Sequence, residues 1–166
     1  MTYRFGKGYF KTYASGIERE WVQSNGLGGY AGTTLIGSLN RKHHGYLIAS
    51  LHPPVDRMLV LSKIDEVISI GDEQFNLCSA QRPGRIESGH RYLQQFIYDE
   101  LPSFNYQVRD LSFTKTLALQ YGHNTVAIVY TIQNGSKPAA MSLHPLFNFR
   151  DHNHGSERKD HAYTMA

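Results

Sequence analysis

The sequence predicts an all-β protein, specifically a large antiparallel β-sandwich. Runs rich in β-branched and aromatic residues recur roughly every ten residues with turn signals between them, a spacing typical of sandwiches and barrels. No segment keeps a helical period of apolar residues over about ten positions. The chain also contains 11 Tyr and 8 Phe, and strands favour both residue types.

The candidate strands follow in order along the chain. They cover roughly 19–24, 32–39, 45–51, 57–62, 64–70, 74–79, 91–98, 104–109, 111–120, 125–133 and 140–149. The run from Thr125 to Ile132 is almost entirely apolar or β-branched, which predicts a central strand. The segment Ile70-Gly71-Asp72-Glu73 predicts a tight hairpin with Gly71 in the turn. Trp21 lies in an apolar strand and is expected in the core.

Length and composition favour one domain over residues 1–166. Of the 166 residues, 40% are hydrophobic, which is enough for a real core. No apolar run approaches about 18 residues, and the start lacks the apolar stretch of a secretory signal. The single cysteine, Cys78, cannot form an internal disulfide. Together these features predict a cytoplasmic protein that does not enter a membrane.

The charge pattern argues against a nucleic-acid partner. The formal net charge is +3, carried by 17 Lys and Arg against 14 Asp and Glu. The basic residues are scattered and form no stripe with interleaved aromatics, which is the usual pattern of nucleic-acid binding.

Residues 25–50 are the most distinctive part of the sequence. A glycine-rich run from Asn25 to Tyr30 indicates a backbone that turns sharply or passes close to another group. A dense polar loop from Asn40 to Tyr46 follows, with amide, guanidinium, ammonium and imidazole groups. Such a set of donors suits a hydroxyl-rich or anionic ligand, and it also suits a solvated hairpin.

Several segments in register carry a resemblance to a known family. They are Glu20-Trp21, Asn25-Gly26-Leu27-Gly28-Gly29-Tyr30-Ala31, Arg41-Lys42-His43-His44-Gly45-Tyr46-Leu47, Pro53-Pro54-Val55-Asp56-Arg57, Leu61-Ser62-Lys63-Ile64-Asp65-Glu66, Gly122-His123-Asn124-Thr125-Val126, Pro145-Leu146 and Arg150-Asp151-His152. Together they resemble the amino-terminal domain of glycogen debranching enzymes of the bacterial and archaeal type, the amylo-α-1,6-glucosidase family. The resemblance covers roughly residues 18–152.

The resemblance implies both a fold and a reaction. It implies a mutarotase-like supersandwich that precedes a helical α/α-barrel catalytic domain, which we expect downstream and which this chain lacks. The parent enzyme would hydrolyse α-1,6-linked glucosyl branches of glycogen-like α-glucans. The present domain would brace the catalytic domain and line one side of the glucan cleft. The partners implied are the glucan and the downstream domain.

The resemblance also suggests which residues bind substrate. We carry over Asn25, Arg41, His44 and Asp65 as residues that line the cleft. For His44 an equally good interpretation is a hairpin histidine bonded to a backbone carbonyl. For Asp65 a surface pair with Lys63 on one strand face is the more ordinary interpretation.

No catalytic residue is expected in this chain. Glycosidases place two carboxyl groups roughly 5–10 Å apart across the scissile bond. The adjacent pairs Asp65-Glu66 and Asp99-Glu100 cannot do this, because neighbours on a strand point to opposite faces. The resemblance places the acid and base in the helical domain.

No metal or cofactor is expected either. His152 and His154, with Asp151 and His161 nearby, form only a weak metal motif. The glycine run lacks the lysine and the strand-to-helix context of a phosphate loop. Arg150 and Asp151 are expected to form a buried structural pair.

Two other functions remain open. One is a stand-alone mutarotase-like enzyme, for which a His and a Glu would converge on a concave sheet face. The other is an interaction domain without sugar contacts. The chain also resembles an excised piece of a longer domain, so we expect the isolated fragment to form homo-oligomers through uncovered sheet edges.

Overall fold

A computed structural model of the protein describes residues 1–155. In chain order its strands are β1 (Tyr3–Gly6), β2 (Glu20–Ser24), β3 (Tyr30–Thr34), β4 (Gly45–His52), β5 (Val55–Ile70), β6 (Glu73–Asn76), β7 (Ser79–Arg82), β8 (Arg85–Ser88), β9 (Leu93–Tyr98), β10 (Pro102–Val108), β11 (Leu111–Leu119), β12 (Val126–Gln133) and β13 (Ala139–Asp151). A one-turn helix α1 (Tyr13–Gly16) and two 3₁₀ turns (Lys7–Tyr9 and Gly89–Arg91) complete the described part. The predicted all-β class is confirmed.

Two antiparallel sheets pack against each other. The five-stranded sheet has the order β1-β9-β10-β11-β12, and the six-stranded sheet has the order β13-β5-β4-β3-β2, with β6 paired to part of β5. Strands β7 and β8 form a separate hairpin. Among residues 1–155, no helix is long and apolar enough to cross a membrane.

The core lies between the inner faces of the two sheets. Strands β10 and β11 alternate strictly between buried and half-buried residues, the pattern of a sheet with one covered face. Phe104 and Leu117 from the five-stranded sheet are fully buried. Trp21 from β2 is 5% exposed and packs edge-on to Phe104 at 6.2 Å between ring centroids. Its predicted place in the core is therefore confirmed.

The structure changes three of the strand predictions. Segments 57–62 and 64–70 form one strand, β5. Lys63, which separated the two predicted segments, continues the alternation as an inward-facing residue and is 5% exposed. The predicted central strand is β12, which forms an edge of the five-stranded sheet in the described part of the chain. Strands β1, β7 and β8 had not been predicted. The hairpin at Ile70–Glu73 is confirmed, with Gly71 at φ +58°.

Candidate functional site

A groove opens where the edges of the two sheets approach each other. Strand β1 is the outer strand of one sheet and β2 is the outer strand of the other. The space between them has a volume of about 340 Å³. We call it the edge groove, and its lining residues are Tyr3, Phe5, Glu20, Trp21, Val22, Leu35, Phe96 and Tyr98. It is an aromatic groove with a single carboxylate.

The register of β1 and β9 creates the aromatic wall. Tyr3 pairs with Tyr98 and Phe5 pairs with Phe96, so the four rings lie on the same face of the five-stranded sheet. Tyr3 is 50% exposed. The hydroxyl of Tyr98 donates to the carbonyl of Val22 at 2.8 Å, which ties the two sheets together beside the groove.

Glu20 lines the groove and contacts two residues outside its lining, Arg41 and His44. We call these three residues the acid–base cluster. Arg41 Nε donates to Glu20 Oε1 at 2.6 Å. His44 Nε2 lies 3.4 Å from the same oxygen, without a well-formed hydrogen bond. The Arg41 side chain is 65% exposed, so its remaining N–H groups face solvent.

The geometry favours a neutral His44. Its Nδ1 accepts from the backbone N–H of Asn40 at 3.3 Å, which places the ring proton on Nε2, towards Glu20. Burial lowers the pKa of His44, and the opposing effect of Glu20 does not restore it. The hydrogen bond of His44 therefore involves a backbone N–H, whereas a carbonyl partner had been considered.

The end of β13 holds the polar loop in place. Arg150 donates to the backbone carbonyl of Lys42 at 2.6 Å and to that of His154 at 2.6 Å. Lys42 Nζ donates to the carbonyl of Asn153 at 2.6 Å. The predicted buried pair of Arg150 and Asp151 is wrong. Arg150 satisfies backbone carbonyls, and the Asp151 side chain is 45% exposed.

Asn25 lies at the opposite end of β2 from Glu20. It is fully buried. Its amide nitrogen donates to the His123 carbonyl at 2.9 Å and to Asn124 Oδ1 at 3.1 Å. Its amide oxygen accepts from the backbone N–H of Leu27 at 2.9 Å. These contacts organise the glycine-rich turn and do not join Asn25 to the acid–base cluster.

Asp65, in β5, lies apart from both the acid–base cluster and Asn25. It pairs with Lys63 at 2.6 Å, as the ordinary interpretation predicted, but the two side chains are only 18% and 7% exposed. The pair is therefore mostly buried. Lys63 also donates to Cys78 Sγ at 3.0 Å. The structure thus brings Arg41 and His44 together and places Asn25 and Asp65 elsewhere.

A buried charge network close to Asp65 was not predicted from the sequence. Lys115 donates to Glu66 at 2.8 Å and to the Tyr46 hydroxyl at 3.0 Å. Tyr130 donates to the same Glu66 oxygen at 2.7 Å. Burial alone would lower the pKa of Lys115, but Glu66 outweighs it and holds this pKa well above its usual value. The available signal was Lys115, the one polar residue at the buried positions of β11.

The residues described offer little for a metal. Among residues 1–155 no group of three or more His, Cys, Asp and Glu side chains is arranged to hold an ion. His161, the fourth member of the weak motif around His152, lies outside the described residues.

The fold is an all-β sandwich with an aromatic groove, one of whose lining residues, Glu20, contacts a guanidinium and an imidazole. The family model described as glycogen debranching enzyme N terminal matches residues 19–165. The chain therefore belongs to the family of glycogen debranching enzyme N-terminal domains. No curated protein and no solved structure matched the chain.

Proposed function

We propose that this chain is a non-catalytic domain that contacts α-glucan beside the active site of a debranching α-1,6-glucosidase. Family membership supports the parent activity. The observation that carries the sugar contact is the edge groove, in which aromatic rings lie beside Glu20, the partner of Arg41. The glucan would follow the groove, and the helical domain would supply the catalytic carboxylates.

Each part of the groove has a chemical role in this proposal. Ring faces of Tyr3 and Tyr98 would pack on the C–H faces of glucose units, burying apolar area without a charge. Arg41 would donate to sugar hydroxyls through the N–H groups that Glu20 does not use. Glu20 would hold the guanidinium in place and accept from a hydroxyl. Asn25 and Asp65 remain predicted cleft residues.

The bracing role belongs to the opposite side of the sandwich. Strands β12 and β13 are both outer strands there within the described residues. Val129, Leu143 and Phe147 are 55%, 44% and 59% exposed, so this side offers apolar surface that a neighbouring domain could cover. We place the contact with the catalytic domain on this side.

The convergence of Glu20 and His44 does not favour the mutarotase-like alternative. An acid and a base that act on a sugar ring must both reach it. Here the two groups contact each other at 3.4 Å, and the His44 side chain is 6% exposed. They cannot enclose a ring between them, so we assign them to binding.

Calorimetric titration with maltoheptaose tests the sugar contact. One wall of a cleft offers few contacts, so we expect a dissociation constant on the order of millimolar. Arg41→Ala and Tyr3→Ala should each weaken binding by about fivefold or more. Arg85→Ala is the matched control, because Arg85 is 70% exposed and also pairs with a glutamate. Absence of binding by the unaltered chain would support the interaction-domain alternative, and equal affinities for all variants would place the sugar contact outside the edge groove.

A further inference from the structure

A second pocket lies between the two 3₁₀ turns, away from the acid–base cluster. Its lining residues are Lys7, Phe10, Lys11, His90 and Arg91, and its volume is about 230 Å³. We call it the basic pocket. The turn Lys7–Tyr9 follows β1, and the turn Gly89–Arg91 precedes β9. Since β1 and β9 pair directly, the two turns are held side by side at one end of that pair.

The charge of the basic pocket is uncompensated. Lys7, Lys11 and Arg91 are exposed, and none of the three forms an ion pair among residues 1–155. The lining contains no carboxylate. By contrast, Arg41 and Arg109 at other places on the surface each contact a glutamate. Three unpaired cations around one concave site attract an anion.

His90 supplies a second and independent observation. It lines the basic pocket, yet it is only 4% exposed. Its Nδ1 is buried without a hydrogen-bond partner in the described part of the chain. Buried polar atoms in folded proteins are nearly always paired. His90 therefore places in the wall of the pocket an imidazole whose buried Nδ1 has no partner among the described residues.

We propose that the basic pocket binds a phosphate-bearing ligand, with Lys7, Lys11, Arg91 and His90 around the phosphoryl group. A phosphomonoester carries nearly two negative charges and three acceptor oxygens, which matches several cations better than a single carboxylate would. Arg91 can bond two phosphate oxygens at once, and the lysines act as point charges.

The dimensions of the pocket fit this ligand class. A volume of about 230 Å³ holds a phosphoryl group and part of the group that bears it. Phe10 gives the pocket an apolar wall. The phosphoryl group could belong to a free hexose monophosphate or to a phosphate ester on a glucan chain. The proposal does not depend on the edge groove, since the two sites share no lining residue.

The first test is an NMR titration of the whole chain with inorganic phosphate, at an ionic strength kept constant with sodium chloride. We expect saturable shifts of the His90 ring signals. The variants Lys7→Ala and Lys11→Ala should each weaken binding several-fold, and the double variant by about tenfold or more. Lys137→Ala, at another exposed lysine, is the control and should bind as the unaltered chain does.

The protonation of His90 gives a second measurement. Burial and the charge of Arg91 lower the pKa of His90. The other charged residues that line the pocket, Lys7 and Lys11, are also cationic. The ring of Tyr13 packs edge-on against the imidazole. Bound phosphate should therefore raise the pKa of His90, and the double lysine variant should lose this rise.

Three further probes separate the sources of the phosphoryl group. If glucose 6-phosphate binds more tightly than inorganic phosphate, the ligand of the pocket is a free sugar phosphate. A phosphorylated maltooligosaccharide binding most tightly would indicate a phosphate ester on a glucan, and unmodified glucose should cause no shift at His90. The proposal is overturned if chloride alone reproduces the shifts, or if the folded double variant binds phosphate as the control does.

Discussion

Lys115 is the residue on which the interior of the sandwich depends most. Its ammonium group is fully enclosed between the sheets, 2.8 Å from Glu66, with the rings of Tyr46 and Phe104 each 5.3 Å from Nζ. Removal of one member of a buried ion pair leaves the other charge uncompensated, which costs about 3–5 kcal/mol. Replacement of both members by apolar residues of similar size often changes the free energy of unfolding little.

We therefore expect Lys115→Met to lower the free energy of unfolding by about 3–5 kcal/mol. Combined Lys115→Met and Glu66→Leu substitutions should recover part of this loss, although Tyr130 then loses its acceptor. Urea unfolding near neutral pH measures both. Lys137→Met at the exposed lysine is the control. A loss below about 1 kcal/mol for Lys115→Met would show that the pair is not essential to the core.

Stability should depend on pH at both ends of the range. Burial raises the pKa of Cys78 from 9.0 to about 12, and the pKa of Lys115 also lies above its usual value. The native state then keeps protons that the unfolded chain has lost, so stability falls as the pH rises above about 9. Burial lowers the pKa of His44 and of His90 from 6.5, so stability also falls as the pH drops below about 6.5.

Urea unfolding between about pH 5 and 11 measures this profile. We expect a maximum between about pH 7 and 9, and Cys78→Ser should flatten the decline that begins near pH 9. A stability that increases from pH 9 to 10.5 would contradict the buried positions of the thiol and the ammonium group.

Among the elements, the turn between β2 and β3 has a backbone that requires glycine. Gly28 has φ +92°, and a Cβ there would overlap the carbonyl oxygen of Pro54. A Cβ on Gly29 would lie 2.7 Å from Asn25 Nδ2 and 2.8 Å from the Ile48 carbonyl oxygen. Gly28 therefore allows a left-handed backbone conformation, and Gly29 allows close packing against Asn25 and Ile48.

Gly28→Ala and Gly29→Ala should each destabilise the protein by about 1 kcal/mol or more. Gly6→Ala serves as the control, because a Cβ at that position meets nothing within 4 Å. Thermal unfolding measures all three. If both turn variants melted at the same temperature as the unaltered chain, the turn would have to tolerate a side chain.

The strand predictions show what local patterns reveal. Runs rich in β-branched and aromatic residues identified β10 and β11. The same signal split β5 at Lys63, since the sequence shows no sign that Asp65 and Cys78 contact this lysine. Apolar content placed β12 in the centre, but it does not distinguish a central strand from an edge strand. Pro145 in β13 is the clearer signal, as proline in a sheet favours an edge.

The candidate site was harder to predict than the fold. Arg41 and His44 could be singled out within the polar loop, but Glu20 joins them only through the pairing of β2 with β3 and of β3 with β4. The aromatic wall requires β1 to pair with β9, which is more than eighty residues away in the chain. Tertiary packing determines which strands pair when they lie this far apart in the chain. The residue types of one short segment do not show that packing.

At the scale of the whole molecule, the outer strands β12 and β13 are the longer edges of the two sheets, with 8 and 13 residues against 4 in β1 and 5 in β2. Each has one sheet neighbour among residues 1–155, and β13 is 13 residues long. Unpaired strand edges with exposed apolar side chains favour pairing with another chain. We therefore predict that the isolated chain self-associates along this side.

Sedimentation at several concentrations measures the association. Val129→Lys, on the outer face of β12, should shift the equilibrium towards monomer, because charged residues on edge strands oppose pairing. Val55→Lys, at a valine that is 62% exposed and lies elsewhere, is the control. A monomer at all concentrations would contradict the prediction.

The isolated chain should also be catalytically inactive. Glu20, the one carboxylate in the edge groove, is committed to Arg41 at 2.6 Å, so the two facing carboxyl groups of a glycosidase are not assembled there. Release of glucose from branched dextrin by the purified chain is the measurement. Release that persists after repeated purification would place a catalytic site within these residues.

Chemical-shift mapping with maltoheptaose measures directly whether the edge groove contacts α-glucan. We expect the signals of Tyr3, Tyr98 and Arg41 to shift together and to follow one saturation curve, with a dissociation constant on the order of millimolar. In the Arg41→Ala variant, maltoheptaose should shift the signals of both tyrosines less at each concentration. The signals of these tyrosines in the sugar-free protein should stay where they are in the unaltered chain. Shifts confined to residues 72–90, or none at saturating sugar, would contradict a contact between the edge groove and α-glucan.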